Sequence, residues 1–543
     1  MNRDEARRWL AFAVLAAVVL LIYANALSGE FTYDDKVEVI GNKTIRMLER
    51  WRLVFDYNVS RPVTLFSYAL NFRYAGYEPF SYHLVDVLLH ALNAGLALLL
   101  GHSLARVLRH ERPLWTAAAA ALVWAVHPLN TEAVSYVTGR SEQLTATWVF
   151  LSLFLWVRFS SEGDWRAWAG AWAVAVLGAF TKEVAIVLPV GFLLIDLLVT
   201  RKLRWQAHIP GFLGLLAFFW HRYDSYGHLI SALPAQRPLD VQLWTQGEVV
   251  WRYLALSVLP WGQSVFHEHP ETGLTLRSGL AALGLVAVTG LAIWRRHPVY
   301  STAWLLFLLV LAPSSSFVAL KETMAEHRVH ISLWMLCFAG VWALSRLPLR
   351  RFQGAVAALG LVLAVLTVQR NQVWANEVAL WGDAASVNPE SCEAWYGYGD
   401  ALYKARELED ATRAYARATE LCPDNANAWN NLGRAEATLG HDAKAEQAWK
   451  QALRVSPSYC RAHSNLGQLK ARGGDFLEAE TWFQTALVYC PRNCRAHAML
   501  GRLYGWNLDE KANAQAHFEV YLEHCETDAQ IEDVRQWVME LTW

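Results

Sequence analysis

The chain divides in two by its hydrophobic pattern. Up to about residue 375, long apolar runs alternate with short polar connections; beyond it, apolar positions recur at helical spacing inside otherwise polar stretches. The first run covers 9–27 and the second about 83–107. Others follow at about 114–127, 143–159, 167–180, 184–199, 207–221, 275–294, 299–312, 331–346 and 354–369. Taken as transmembrane helices these make about eleven spans, several shorter than the roughly 20 residues of a straight crossing. The stretch 249–259 is short and carries Arg252, so it reads as interfacial or re-entrant. Two amphipathic pieces after the first span, 45–55 and 62–74, suit the membrane surface.

Basic residues orient this array. Arg3, Arg7 and Arg8 precede the first run, which reads as a signal anchor with a cytoplasmic N-terminus. With eleven crossings, the clusters Arg201–Lys202–Arg204, Arg295–Arg296 and Arg346–Arg350–Arg351 also lie on the cytoplasmic side. An odd number of crossings then leaves the C-terminal part outside the cytoplasm.

That C-terminal part repeats every 34 residues. Trp395, Trp429, His463 and His497 keep this interval, as do Gly399, Gly433, Gly467 and Gly501, and Pro389, Pro423, Pro457 and Pro491. Small residues where paired helices cross and a proline after each second helix define a tetratricopeptide solenoid. In the fourth unit the second helix slips by one, to Ala514 and Phe518, and 530–543 reads as a capping helix. The expected fold is therefore all-α: a polytopic membrane helix bundle over 1–375, then an extracytoplasmic repeat domain of about four units over 376–543.

Composition fits this division. A chain of 543 residues that is 54% hydrophobic yet 18% charged suits a membrane protein with a polar appendage, and a net charge of −1 removes the electrostatic case for nucleic acid. Six of the seven cysteines fall in the repeats. Cys392 and Cys422, Cys460 and Cys490, and Cys494 and Cys525 each join the start of a hairpin's first helix to the end of its second. Antiparallel helices bring those points together, so three disulfides are expected, with Cys337 free; the competing pairing is Cys490–Cys494, which leaves Cys460 and Cys525 unpaired.

The candidate chemistry lies on the outer side. Asp34 and Asp35 are adjacent carboxylates just past the first span, a general base and its partner. His127, Glu132, Arg140 and Glu142 form a second outer loop, Lys182 and Glu183 a third, and Lys321, Glu322, Glu326, His327 and Arg328 a fourth. Charges so close to hydrocarbon are functional or paired internally. Together they describe an outward-facing charged cavity whose cations suit a phosphate. No His/Cys cluster with metal spacing occurs in these loops, and no metal or other cofactor is expected.

The ordered segments GEFTYDD, SRPVTLFSYALNF, YHLVDVLLHALNAGL, HPLNTEAVSYVTGRSE, TKE and AEHRVHISL, followed by repeats, resemble the transmembrane-and-tetratricopeptide O-mannosyltransferase family. These are GT-C glycosyltransferases, related to the protein O-mannosyltransferases. The resemblance implies a polyprenyl phosphate sugar donor and Ser/Thr hydroxyls of proteins as acceptors. It implies Asp34 as the catalytic aspartate of the first outer loop, with Asp35 where the protein O-mannosyltransferases carry a glutamate. Arg140, Lys182 and Arg328 match basic positions of its motifs and are assigned to the donor phosphate on electrostatic grounds. Arg61, His83, His127, Glu132, Glu142, Glu183 and Glu326 are further site candidates. At Glu326-His327-Arg328 a histidine separates the Glu and Arg that the motif pairs. The chain looks most like the shorter bacterial members, which implies a bacterial cytoplasmic membrane with periplasmic repeats that bind the acceptor. The alternatives are a GT-C enzyme acting on a lipid or cell-surface glycan, and a noncatalytic membrane scaffold.

Overall fold

A computed structural model describes residues 3–58, 60–226, 237–267, 271–316, 319–320, 322–525 and 530–542. Lys321 lies outside the described residues. Every regular element among them is helical. The chain forms two compact units, Met1–Leu380 and Trp381–Trp543.

In the first unit each expected apolar run is a helix, among them Arg3–Ile22, Pro79–Val107, Pro113–Ala125, Arg140–Glu162, Trp165–Ala179 and Leu349–Val373. By length and apolarity alone, five described helical stretches can cross a membrane: Pro79–Val107, Val137–Glu162, Glu183–Thr200, Leu276–Arg295 and Leu349–Val373. Pro113–Ala125 and Tyr300–Leu311 are apolar but shorter. The stretch 249–259 is not a separate short segment but the end of a helix, Leu239–Val258. That helix starts earlier than its apolar residues indicate because its first half buries polar side chains, Gln242, Thr245, Gln246 and Glu248. The pieces at 45–55 and 62–74 become short helical turns, then Trp51–Tyr57 and Pro62–Ala75.

Apolar packing decides which faces turn inward. Pro79–Val107 lies at the centre, with Ala94, Ala97, Leu98 and Leu100 buried. Small residues let neighbours approach it: a Cβ at Gly95 would overlap the Phe12 ring, and one at Gly101 would press on Phe338 and Trp334 at 3.3–3.4 Å. Leu276–Arg295 and Leu349–Val373 instead expose Leu283, Val286, Leu361 and Val362, apolar faces that lipid can cover. The first long loop has its own small core of Phe31, Val39, Ile45, Val54, Leu65, Tyr68, Tyr82 and Val137. That core seats the loop on the helices that follow.

The second unit stacks helical hairpins. A Cβ at Gly399, Gly433, Gly467 or Gly501 would run into Tyr415, Trp449, Phe483 or Phe518, each on the second helix of the same hairpin. Phe518 thus takes the aromatic place despite the slipped fourth unit. The Trp/His position has a distinct task. Trp395 and Trp429 Nε1 donate to the Pro389 and Pro423 carbonyls at 3.0 and 2.9 Å. His463 and His497 Nε2 reach the Pro457 and Pro491 carbonyls at 2.9 Å. Trp and His interchange here because each presents a ring N–H at a similar reach. Ile531–Thr542 follows as the expected final helix.

Disulfides join Cys460 to Cys490 and Cys494 to Cys525, while Cys337, Cys392 and Cys422 are free thiols. This corrects the expected third bridge. Cys392 Sγ lies 3.5 Å from the Ala418 carbonyl and receives the Asn425 amide at 3.9 Å. In the hairpin that begins at Cys460, the corresponding amide of Asn493 turns to Ser464 Oγ, 3.1 Å away. The first hairpin has Tyr396 in place of that serine, and Asn425 turns to the sulfur.

Candidate functional site

The adjacent carboxylates Asp34 and Asp35 have opposite surroundings. The backbone folds tightly over Thr32–Asp35: Asp35 N–H donates to the Thr32 carbonyl at 3.0 Å, and Thr32 N–H returns a bond to Asp35 Oδ2 at 3.1 Å. Tyr33 takes a positive φ of 49° within this turn. Asp35 is fully buried and accepts the Thr138 N–H and hydroxyl on Oδ1 at 2.7 and 2.6 Å. Burial raises its carboxyl to about 7, against the lowering pull of the bonds from Thr138 and Thr32. Asp34 is exposed, and its N–H donates to the Tyr136 hydroxyl at 3.1 Å. Tyr136 stacks on Trp374, with ring centroids 5.2 Å apart. Asp35 thus clamps the loop to the segment before Arg140–Glu162, and the clamp turns Asp34 outward.

Around this turn the other loops supply charge. Tyr33 Oη donates to Glu322 Oε1 at 2.9 Å, and Tyr33 also lies within electrostatic reach of Asp34 and Glu132. Arg328, half-buried, donates to the Glu322 and Thr323 carbonyls at 3.2 and 3.5 Å. Lys182 pairs with Glu142. Arg61 pairs with Glu183 at 3.2 Å, and both are about a third exposed. The histidine that interrupts the Glu–Arg motif stands between two carboxyls. His327 N–H and Nδ1 meet the Glu132 carboxyl at 2.9 and 2.8 Å, and Nε2 lies 3.8 Å from Glu142. Lys182, Glu142, Arg328 and Glu322 all act electrostatically on it.

Two buried carboxyls here are pushed in opposite directions by their surroundings. Burial, followed by repulsion from Glu326, raises Glu132 to about 8. Burial lowers His327 to about 4, so the two shifts together favour an uncharged Glu132–His327 pair. Burial would also raise Glu326, but His267, Arg370 and Gln263 outweigh it and hold this carboxyl below its ordinary range. Glu326 accepts from His267 Nε2, the Ser264 N–H and Gln263 Nε2 at 2.7–2.8 Å.

Three sequence candidates take supporting places. The motif pattern puts Arg140 at the donor phosphate; instead it is fully buried and bound to Asp86, with Nε–Oδ1 at 2.6 Å. Its Nη2 donates to the Tyr82 carbonyl at 2.9 Å, and its guanidinium lies 5.0 and 5.4 Å from the Tyr68 and Tyr82 ring centroids. Its charge is committed inside the fold. His127 is buried and bridges Leu129 N–H and the Ser257 carbonyl at 3.2 Å each. His83 is buried against Gly29, where a Cβ would meet its Nε2 at 3.1 Å.

Asp86, Thr138, His267 and Arg370 do not stand out from sequence as site residues. Asp86 carries a signal, an acid within an apolar helix, which requires a partner. Thr138 and His267 carry none, because their roles depend on residues far along the chain. Among the described residues, no group of three or more His, Cys, Asp or Glu side chains is arranged to hold a metal ion.

Residues 78–221, which include His83, Glu132, Arg140, Glu142, Lys182 and Glu183, match the Dolichyl-phosphate-mannose-protein mannosyltransferase family. Residues 399–440 and 430–497 match tetratricopeptide repeat families. The chain is thus a multi-pass membrane protein in which one stretch, 78–221, is similar to a mannosyltransferase family and a later one to tetratricopeptide repeats. It is distantly homologous to the transmembrane-and-tetratricopeptide protein O-mannosyltransferases. Protein O-mannosyl-transferase F38B6.6 of Caenorhabditis elegans is 23% identical over 442 residues, 75% of this chain and 62% of that protein. Protein O-mannosyl-transferase TMTC3 of Mus musculus is 22% identical over 485 residues, 75% of this chain and 50% of that protein. Protein O-mannosyl-transferase tmtc2 of Xenopus laevis is 29% identical over 215 residues, 36% of this chain and 25% of that protein. The matched stretch is therefore less than two thirds of the length of each of these relatives. Among solved structures, a thermophilic tetratricopeptide protein of Thermus thermophilus aligns with 34% of this chain and 95% of its own, at 21% identity and a TM-score of 0.27.

Proposed function

We propose that this protein transfers a hexose, mannose foremost, from a polyprenyl phosphate donor to Ser/Thr hydroxyls of proteins, with inversion at the anomeric carbon. The observation that carries the reading is the division of labour between Asp34 and Asp35. One carboxylate is exposed and held in place by a buried neighbour, which is what a general base at an open site requires.

In this reading Asp34 accepts the acceptor hydroxyl proton as the oxygen bonds to the anomeric carbon. The bond from that carbon to the phosphate oxygen breaks, and the lipid phosphate leaves with its electron pair. Nearby anions stabilise the positive character of the sugar. Lys182 and Arg328 stabilise the departing phosphate; Arg61 is held by Glu183, and Arg140 contributes through the fold alone. About eleven spans, a cytoplasmic N-terminus and repeats in an oxidising extracytoplasmic space complete the reading, supported by the basic clusters and the two disulfides.

The test is transfer by detergent-solubilised protein from radiolabelled polyprenyl phosphate mannose to a Ser/Thr-rich peptide. Hexose should appear on the peptide with wild-type protein and not with Asp34→Asn. Equal transfer by both would overturn the assignment of Asp34.

A further inference from the structure

The repeat unit contains a groove of about 920 Å³ with an uneven charge. Arg434, Arg461, Arg492 and Arg495 line it, with Asn430 and Asn465 on its floor, and none of its lining residues is acidic. Elsewhere in the repeats, basic side chains stand beside carboxylates, as Lys470 does with Glu446 and Glu478, and Arg472 with Asp442. Arg461 and Arg492 are exposed, and no carboxylate of the described residues pairs with them.

The floor is organised as a hydrogen-bonded ladder across successive repeats. Asn430 Nδ2 donates to Asn431 Oδ1 at 3.0 Å, Asn465 Nδ2 to Asn430 Oδ1 at 2.8 Å, and Arg495 Nη1 to Asn465 Oδ1 at 2.9 Å. This fixes the orientation of the amides and of one guanidinium before any ligand arrives, which lowers the ordering cost of binding. The disulfides at Cys460–Cys490 and Cys494–Cys525 tie down the helix ends that frame the groove.

We propose that this groove docks an extended acidic polypeptide segment of the acceptor protein, its carboxylates paired with Arg461, Arg492 and Arg495. The inference rests on the protein-acceptor reading given above. Guanidinium forks suit carboxylates, and fixed amides suit a peptide main chain. The chemistry favours a peptide over nucleic acid because no aromatic ring lines the groove for bases to stack on. It favours a peptide over a membrane surface because a groove admits a chain, while a bilayer needs an open face. The partner would be chosen by sequence context around the modified hydroxyl, a selection made away from the reacting atoms.

The test measures fluorescence anisotropy of a labelled Asp/Glu-rich peptide of about a dozen residues with the full-length protein in neutral detergent. No donor is needed, so the result is independent of transfer. Binding should weaken as salt rises, and the double variant Arg461→Glu/Arg492→Glu should lower affinity at least about 10-fold. The variant Arg461→Lys/Arg492→Lys, which keeps the charge, should retain most of it and show that the repeats remain folded. A Lys-rich peptide should not bind. The proposal is overturned if charge reversal leaves affinity unchanged, or if the Lys-rich peptide binds equally. It is also overturned if the reversal abolishes binding to anionic vesicles or a single-stranded oligonucleotide while the acidic peptide never binds. Peptide binding with no transfer to any acceptor would leave the groove standing and remove the transferase reading instead.

Discussion

Thr138 delivers both its main-chain N–H and its hydroxyl to one oxygen of Asp35, at 2.7 and 2.6 Å. Through this pair the first loop is fastened to a segment more than a hundred positions later, and Asp34 acquires a fixed place next to it. Asp34→Asn keeps that place but removes the proton acceptor, so transfer should fall by roughly 10²-fold or more while donor affinity stays the same. Single-turnover transfer and donor-binding measurements on the same preparation separate the two effects. Loss of donor binding in this variant would mean that Asp34 holds the donor instead.

The Arg140–Asp86 pair separates structural from binding cations. Arg140→Ala leaves the Asp86 carboxylate buried without its partner and should destabilise the first unit by about 3–5 kcal/mol. Arg328→Ala should leave the melting temperature nearly unchanged and raise the donor KM, the loss of a charge-assisted bond being about 2–3 kcal/mol. Melting curves in detergent and donor titrations distinguish the two. Matching profiles for the two variants would contradict the separate roles.

Glu132 makes stability depend on pH in the alkaline direction. Its carboxyl is raised to about 8 in the folded protein, far above its ordinary value of 4.5. The protonated form is therefore favoured by folding, and its contribution is complete below about 4.5 and lost as pH rises through about 8. Melting temperature should decline from about pH 5 to about pH 8 and level off above it, as ionised Glu132 meets Glu326. Glu132→Gln, which stays neutral, should flatten that decline, whereas a wild-type slope in the variant would assign the effect to another group.

Non-reducing peptide mapping of protein from the membrane fraction should find Cys460 joined to Cys490 and Cys494 to Cys525, with Cys337, Cys392 and Cys422 open to alkylation. Each bridge closes a loop of about 30 residues, and replacing one pair by serine should cost roughly 3 kcal/mol. Recovery of a Cys392–Cys422 peptide would restore the bridge that the hairpin spacing suggests.

How much can be read from the sequence follows from how local each feature is. Apolar runs and the 34-residue period are local or nearly so, and the helices and hairpins follow them. The Val249–Leu259 region reads too short because burial of Gln246 and Glu248 extends its helix through polar residues. Arg140 reads as a phosphate ligand because its neighbours in sequence carry a motif, while its partner Asp86 lies on another helix. Cys392 and Cys422 have the spacing of a bridge and their side chains meet, yet both are thiols. Charged positions can be assigned to the connections between apolar runs by pattern; the Glu132–His327–Glu142 contacts cannot, because they join loops far apart in the chain.

The ring-to-carbonyl bonds of the repeats set where the array tolerates change in length. In all four the acceptor proline stands six residues before the ring. The irregularity of the fourth unit, near Trp506 to Asp509, falls in the turn inside a hairpin and leaves that six-residue interval intact. Seams between hairpins are therefore constant and their interiors elastic. Hairpins can be exchanged, duplicated or lengthened within, so long as the proline and the ring travel together.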